Sequence, residues 1–193
     1  MSSQYEALRH VYRYPGFTES ELSKLFAAHE KVSFEKGKLF LKEGRIPNEY
    51  FILESGLARS YVIDYDGNDI TTNFFTPNQV VIEVSSLFQR IKSKENIEAI
   101  MDCECWKIDF NTFQELYHSI KSFNEWGRAW MSGKLFELKQ RSVEMITENA
   151  TDRYLKLMNE RPAIFQYAPL KCIATYLGIT DTSLSRIRKE IKM

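Results

Sequence analysis

Apolar positions change their period twice along the chain. Leu22, Leu25 and Phe26 recur at helical spacing behind Thr18-Glu-Ser-Glu21. That is a capping-box spacing, in which the Thr hydroxyl and the Glu carboxylate each serve the other residue's backbone N–H, and the helix is expected to run to about residue 29. From about 31 to 109 the texture is that of strands. VSFEKGKLFLKEG, NEYFILESG, LARSYVIDYDGND and ITTNFF are short β-type runs, punctuated by Gly37, Gly44, Gly56 and Gly67. Such spacing predicts a small antiparallel barrel or sandwich. Leu57, Arg59, Tyr61 and Ile63 alternate with Ala58, Ser60, Val62 and Asp64, and Asp66-Gly67 is a hairpin turn signal. Ile97 to Ile108 reads as a further strand-like stretch.

From about 110 the period becomes helical. A short helix is expected over 111–121 and a long one from Phe123 to Thr147. On the long helix Met131, Leu135, Leu138, Ser142 and Met145 step by four and three, and Trp126, Trp130 and Gly133 form a second stripe. A stepped stripe of this kind can be the seam of a two-helix coiled coil, and it can equally pack on the chain's own barrel. The dimer reading assigns Trp126, Trp130, Met131, Leu135 and Leu138 to the seam.

Composition adds exclusions. The 193 residues carry 26 basic and 26 acidic side chains, and 13 Phe and 10 Tyr exclude a solvated, disordered chain. Three cysteines are no disulfide framework; Cys103 and Cys105 would share one face of a strand, reduced and buried. No Cys/His cluster has metal spacing. No Ser/His/Asp order or nucleotide loop is present, so the chain reads as a non-enzyme. The N-terminus lacks a signal-peptide core and no run is long enough to span a membrane, which leaves a cytoplasmic protein as the expectation. The neutral charge is uneven: residues 1–140 hold 17 basic and 20 acidic groups, residues 141–193 hold 9 and 6.

The C-terminal segment PLKCIATYLGITDTSLSRIRKEIKM carries the most specific pattern. Ala174 is small where a second helix would cross the first, and Gly178 suits the positive φ of a tight turn. Ile173, Leu177, Ile179, Leu184 and Ile187 supply a shared core. Thr180 can cap the second helix, whose start Asp181 complements. Its outward face would present Thr182, Ser183, Ser185, Arg186, Arg188 and Lys189 to DNA. Arg can grip guanine O6 and N7 with two bonds, and Lys189 and Lys192 suit phosphates. The bland alternative is a helical hairpin with a solvated basic face.

Taken in order, a Gly-punctuated barrel, a long helix and a terminal helix-turn-helix resemble the CRP/FNR family of transcription regulators over nearly the whole chain. The resemblance rests on Gly37, Gly44, Glu49-Tyr-Phe-Ile-Leu53, Gly56, Asp66-Gly67, Arg153-Tyr154 with Leu155 and Leu157, and LGITDTSLSRIRK. It implies an α+β protein: an N-terminal antiparallel, jelly-roll-like barrel of the cyclic-nucleotide-binding fold (residues 1–122), a dimerisation helix (123–147) and a helix-turn-helix domain (148–193), with a hinge at 147–152. The implied partners are double-stranded DNA at a palindromic site, a second copy of the chain, and RNA polymerase as a candidate third; a membrane is not among them.

Three motifs depart from the family pattern. The phosphate cassette, a Gly-Glu followed about ten residues on by Arg-Ser or Arg-Thr, keeps Glu83 but has Ile82 for Gly and Ser93-Lys94 for the arginine pair. Lys94 offers one charge without a planar fork. The resemblance therefore gives Glu83, Ser93 and Lys94 as effector-pocket candidates, a small-molecule effector of unidentified class, no assigned cofactor, and no cyclic nucleotide in the usual mode. In the recognition helix the family's base-reading Glu is Thr182, while the Arg is kept as Arg186. Phe75-Thr-Pro-Asn-Gln79 replaces a Gly-Asp turn, and any wing would have to come from Phe165–Leu170. The competing reading is a ligand-binding or interaction module that does not read DNA.

Overall fold

A computed structural model describes residues 3–191. Two N-terminal helices, Glu6–Val11 (α1) and Glu19–Ala27 (α2), open the chain. The expected capping box closes on α2: Glu21 N–H donates to Thr18 Oγ1 at 3.2 Å and Thr18 N–H to Glu21 Oε2 at 2.8 Å. The first helix was not expected from the sequence; it holds only six residues, and burial of Ala7 and Leu8 sustains it.

Eight strands follow: β1 Glu30–Phe34, β2 Leu39–Leu41, β3 Glu49–Ser55, β4 Ala58–Ile63, β5 Asp69–Phe75, β6 Val80–Val81, β7 Asn96–Ala99 and β8 Cys103–Asp109, with helix α3, Val84–Gln89, between β6 and β7. They form two antiparallel four-stranded sheets in the orders β1-β8-β3-β6 and β2-β7-β4-β5, which is the jelly-roll arrangement expected of the barrel. The stretch from Ile97 to Ile108 is two strands, one in each sheet, because the chain turns at 100–102 and crosses over. Gly56 at φ +102 makes the tight β3–β4 connection; a Cβ there would sit 2.5 Å from Asp102 O.

Helices α4 (Phe110–Ser119), α5 (Lys121–Thr147), α6 (Ala150–Glu160), α7 (Pro162–Tyr167), α8 (Leu170–Tyr176) and α9 (Asp181–Ile191) complete the chain. Phe165–Tyr167 lie in α7, with Pro162 in its first turn, and α8 starts at Leu170, so the segment expected to supply any wing is helix and turn. Among the described residues no strand follows β8.

Three apolar cores result. Phe51, Leu53, Ala58, Ile97 and Cys105 fill the space between the sheets. Both cysteines of β8 are buried there and free, and burial raises their thiols, Cys103 to about 11. Tyr50, Ile52, Trp106 and Ile108 face outward from the first sheet under α1, α2, α4 and the start of α5. Leu57, Phe74 and Ile100 of the barrel share a third core with Tyr154, Leu157, Ile164, Ile173 and Leu177. The C-terminal helices thus dock on the barrel through side chains worth about 1.5–3 kcal/mol each when fully buried.

Candidate functional site

The helix-turn-helix forms as its residues dictate. Ile173, Ala174 and Leu177 of the first helix and its turn bury against Leu184 and Ile187 of α9. Gly178 takes φ +68 between the two helices. The Thr180 hydroxyl accepts from the Ser183 N–H at 3.2 Å, so Thr180 is the N-cap of α9. With Leu184 and Ile187 inward, Thr182, Ser185, Arg186 and Lys189 are exposed, and Ser183 and Arg188 are partly so. Arg186 has only a long contact, 3.9 Å, to Glu190. All six candidates therefore lie on one short helix, whose outward side is polar and carries Arg186, Arg188 and Lys189 between Asp181 and Glu190. Lys192 lies outside the described residues.

The effector candidates separate. Glu83 caps α3, accepting from Ser85 N–H at 3.1 Å and Ser86 N–H at 2.6 Å, and it borders a cavity of about 790 Å³ between the second sheet, α5 and α6. Ser93 is buried away from that cavity, its Oγ donating to Glu95 O at 2.7 Å, and Lys94 is exposed. The residue that enters the cavity is the next one, Glu95, beside Ser60 and Thr72, whose hydroxyls are 2.7 Å apart. Burial raises the Glu95 carboxyl, the Thr72 hydroxyl opposes the shift, and the charge of Glu83 raises it further. The barrel wall of this cavity therefore presents two carboxylates, Glu83 and Glu95. Glu95 was missed, although the signal existed: it lies two and four residues before Ile97 and Ala99, which point into the core.

The long helix has two apolar sides. Trp126 is 7 % exposed, stacks on Phe123 and donates its indole N–H to Val11 O at 2.9 Å; Trp130 is half-buried and stacks on Trp126. Trp126 belongs to the chain's own core, which corrects its assignment to a partner-facing seam, and Trp130 packs against that core while staying partly exposed. Leu135 and Leu138 are each 64 % exposed and Met131 41 %. The exposed side also carries Phe136, Val143 and Ile146, which step by seven and three and which the sequence reading passed over.

A cyclic nucleotide-binding domain model matches residues 31–119 of this chain. The fumarate and nitrate reduction regulatory protein of Yersinia pestis is 25% identical over 182 residues, spanning 88% of this chain and 72% of that protein. The chain thus carries a cyclic nucleotide-binding domain, and the relatives and neighbours it resembles are regulators of the CRP/FNR type. Among solved structures, FixK2 of Bradyrhizobium japonicum superposes with a TM-score of 0.72 at 18% identity, covering 85% of this chain and 84% of that one. The c-di-GMP-responsive global regulator CLP of Xanthomonas campestris superposes with a TM-score of 0.70 at 13% identity, covering 91% and 92%. The shared barrel-plus-helices architecture extends well beyond the matched domain. Among its described residues no helix is long and apolar enough to cross a membrane, and no group of three His, Cys, Asp or Glu side chains could hold a metal.

Proposed function

We propose that this protein is a CRP/FNR-type transcription regulator, a homodimer that reads a two-fold-related DNA site with α9, under the control of a barrel that does not take a cyclic nucleotide in the usual mode. Residues 1–122 serve as the sensor, 123–147 as the dimer helix (with α5 beginning two residues earlier, at Lys121) and 148–193 as the DNA-binding part. The observation that carries the reading is the free outward face of α9, where Arg186 is exposed at the second turn while Leu184 and Ile187 anchor the helix. Paired through α5, two copies would place their reading helices in successive major grooves about 34 Å apart. RNA polymerase is the partner such a regulator would address once bound.

A gel-shift series with duplex DNA from upstream of the protein's own gene tests this. A specific, salt-sensitive shift is expected, with Arg186→Ala weakening the preferred duplex by about 1–3 kcal/mol and relaxing one base position. Equal weakening on every duplex would assign Arg186 to phosphates instead.

Against a cyclic nucleotide stand the two carboxylates. The Glu83 carboxylate already occupies the N–H groups at the start of α3, and Glu95 adds a second acid to the same wall. A cyclic phosphate set against that wall would meet like charge, and the cations that line the cavity, Lys134, Arg141, Arg153, Lys156 and Arg161, stand on the helices opposite rather than on the barrel wall. Calorimetry is expected to find no micromolar binding of cAMP or cGMP; micromolar affinity for either overturns this part of the reading.

A further inference from the structure

Strand β5 is an edge strand, with β4 on one side only. An open edge leaves backbone groups without partners. Here the edge is closed by the C-terminal helices. Thr71 N–H donates to Thr175 Oγ1 of α8 at 3.1 Å, Arg161 Nη2 donates to Phe74 O at 2.6 Å, and Arg141 Nη1 of α5 donates to Thr72 O at 2.5 Å. The contact of Arg141 with Thr72 is singular. Pairing of β5 with β4 runs Ser60 with Asn73 and then Tyr61 with Thr71, so Thr72 is the extra residue of a bulge. A bulge re-aims the residue it frees. The Thr72 hydroxyl meets Ser60 Oγ at 2.7 Å on the cavity wall, while its carbonyl is held by Arg141, which lines the same cavity from α5.

Arg141 also reaches the helix-turn-helix. Its Nη2 donates to Tyr176 O at 3.1 Å, a carbonyl at the C-terminal end of α8, and its guanidinium carbon lies 3.9 Å from the Tyr176 ring centroid. That ring in turn packs edge-on against Phe74 of β5 at 5.2 Å. A planar guanidinium can hold two acceptors in fixed relative positions, which an ammonium cannot. We propose that Arg141 is a positioning residue that sets the orientation of the helix-turn-helix from the state of the cavity wall, with Thr72 as the element that moves. Displacing the Thr72 hydroxyl rotates the bulged peptide, shifts the carbonyl that Arg141 holds, and moves α8 with it. Its consequence for DNA reading rests on the function proposed above; its measurement does not.

Hydrogen–deuterium exchange on the full chain, without DNA or effector, tests the link. Arg141→Leu is expected to speed exchange in peptides covering 69–75 and 170–177 at least tenfold, with 103–109 unchanged. Arg141→Lys, which keeps the charge on a single donor group, is expected to give an intermediate rise and remains informative if the Leu variant folds poorly. Ser60→Val removes the hydroxyl partner of Thr72 and crowds its side chain. It is expected to speed exchange across 170–177 severalfold when Arg141 is present and to add nothing beside Arg141→Lys or Arg141→Leu. Unchanged exchange at 170–177 in both Arg141 variants overturns the proposal. So does an equal effect of Ser60→Val with and without Arg141, since the signal would then travel by another route. Neither outcome bears on whether α9 reads DNA.

Discussion

His29 is held neutral by where it sits. Its Nδ1–H donates to Leu25 O at 2.7 Å, so Nε2 must accept from the Tyr12 hydroxyl, 3.0 Å away, and Tyr12 in turn accepts from Tyr50 at 2.9 Å. Burial pushes the imidazole down to about 4, against a smaller upward effect of the Leu25 carbonyl. Both phenols are raised, chiefly by the same burial, so they remain protonated donors. The unfolded chain binds a proton at His29 near pH 6.5, and the native chain does not until about pH 4. The stability from this site is therefore complete above pH 6.5 and is lost as the pH falls toward 4, by about 2–3 kcal/mol at pH 4.5. Urea unfolding of the wild type and His29→Gln at pH 7.5 and 4.5 would measure it. The wild type is expected to lose the larger amount on acidification; parallel losses in the two proteins would remove His29 from the account. None of this network was legible beforehand. Tyr12, His29 and Tyr50 are spread over 39 positions, and a lone His gives no pattern in one dimension.

At the scale of elements, legibility followed local physics. The α2 cap and the turn between α8 and α9 formed as read because their determinants lie within a few residues of each other. The β7–β8 crossover and α3 did not: a turn at 100–102 without Gly or Pro carries little signal, and Glu83 was read as a ligand group rather than as an N-cap. The two tryptophans of α5 show the harder limit. Period locates apolar stripes on a helix but not which stripe meets the chain's own barrel. Gly178 is the element-scale case open to a direct test. At φ +68 any Cβ is strained, and one built there would lie 2.6 Å from Met145 Cε, at the end of a flexible side chain on α5. Gly178→Ala is expected to cost about 1–2 kcal/mol, mainly from the left-handed backbone. Gly178→Asn should cost less, because Asn tolerates that region better. Denaturant titrations of the three proteins decide it; an alanine variant as stable as wild type would mean that the turn can relax to negative φ.

For the whole molecule, net zero charge conceals a division of labour. Residues 141–193 carry three more basic than acidic groups and residues 1–140 three fewer, so one copy brings a modest positive surface to DNA. Phosphate contacts supply much of any affinity, and a single short α9 makes few of them. Two linked copies change the arithmetic, because the second helix then binds at a high effective concentration. The exposed side of α5 is where that linkage would form. Leu135 at 64 % and Ile146 at 84 % exposed lie about three turns apart on that side and touch none of the chain's buried cores, so replacing both by Glu should leave the fold intact. Sedimentation velocity is expected to convert a dimer to a monomer in the Leu135→Glu, Ile146→Glu double variant, with an unchanged far-ultraviolet circular dichroism spectrum. Its affinity for the preferred duplex should fall by about 100-fold or more, and its salt dependence should become shallower as one set of phosphate contacts is lost. A variant that stays dimeric would move the seam off this side of α5. A monomer that binds with undiminished affinity would mean that one copy of α9 suffices.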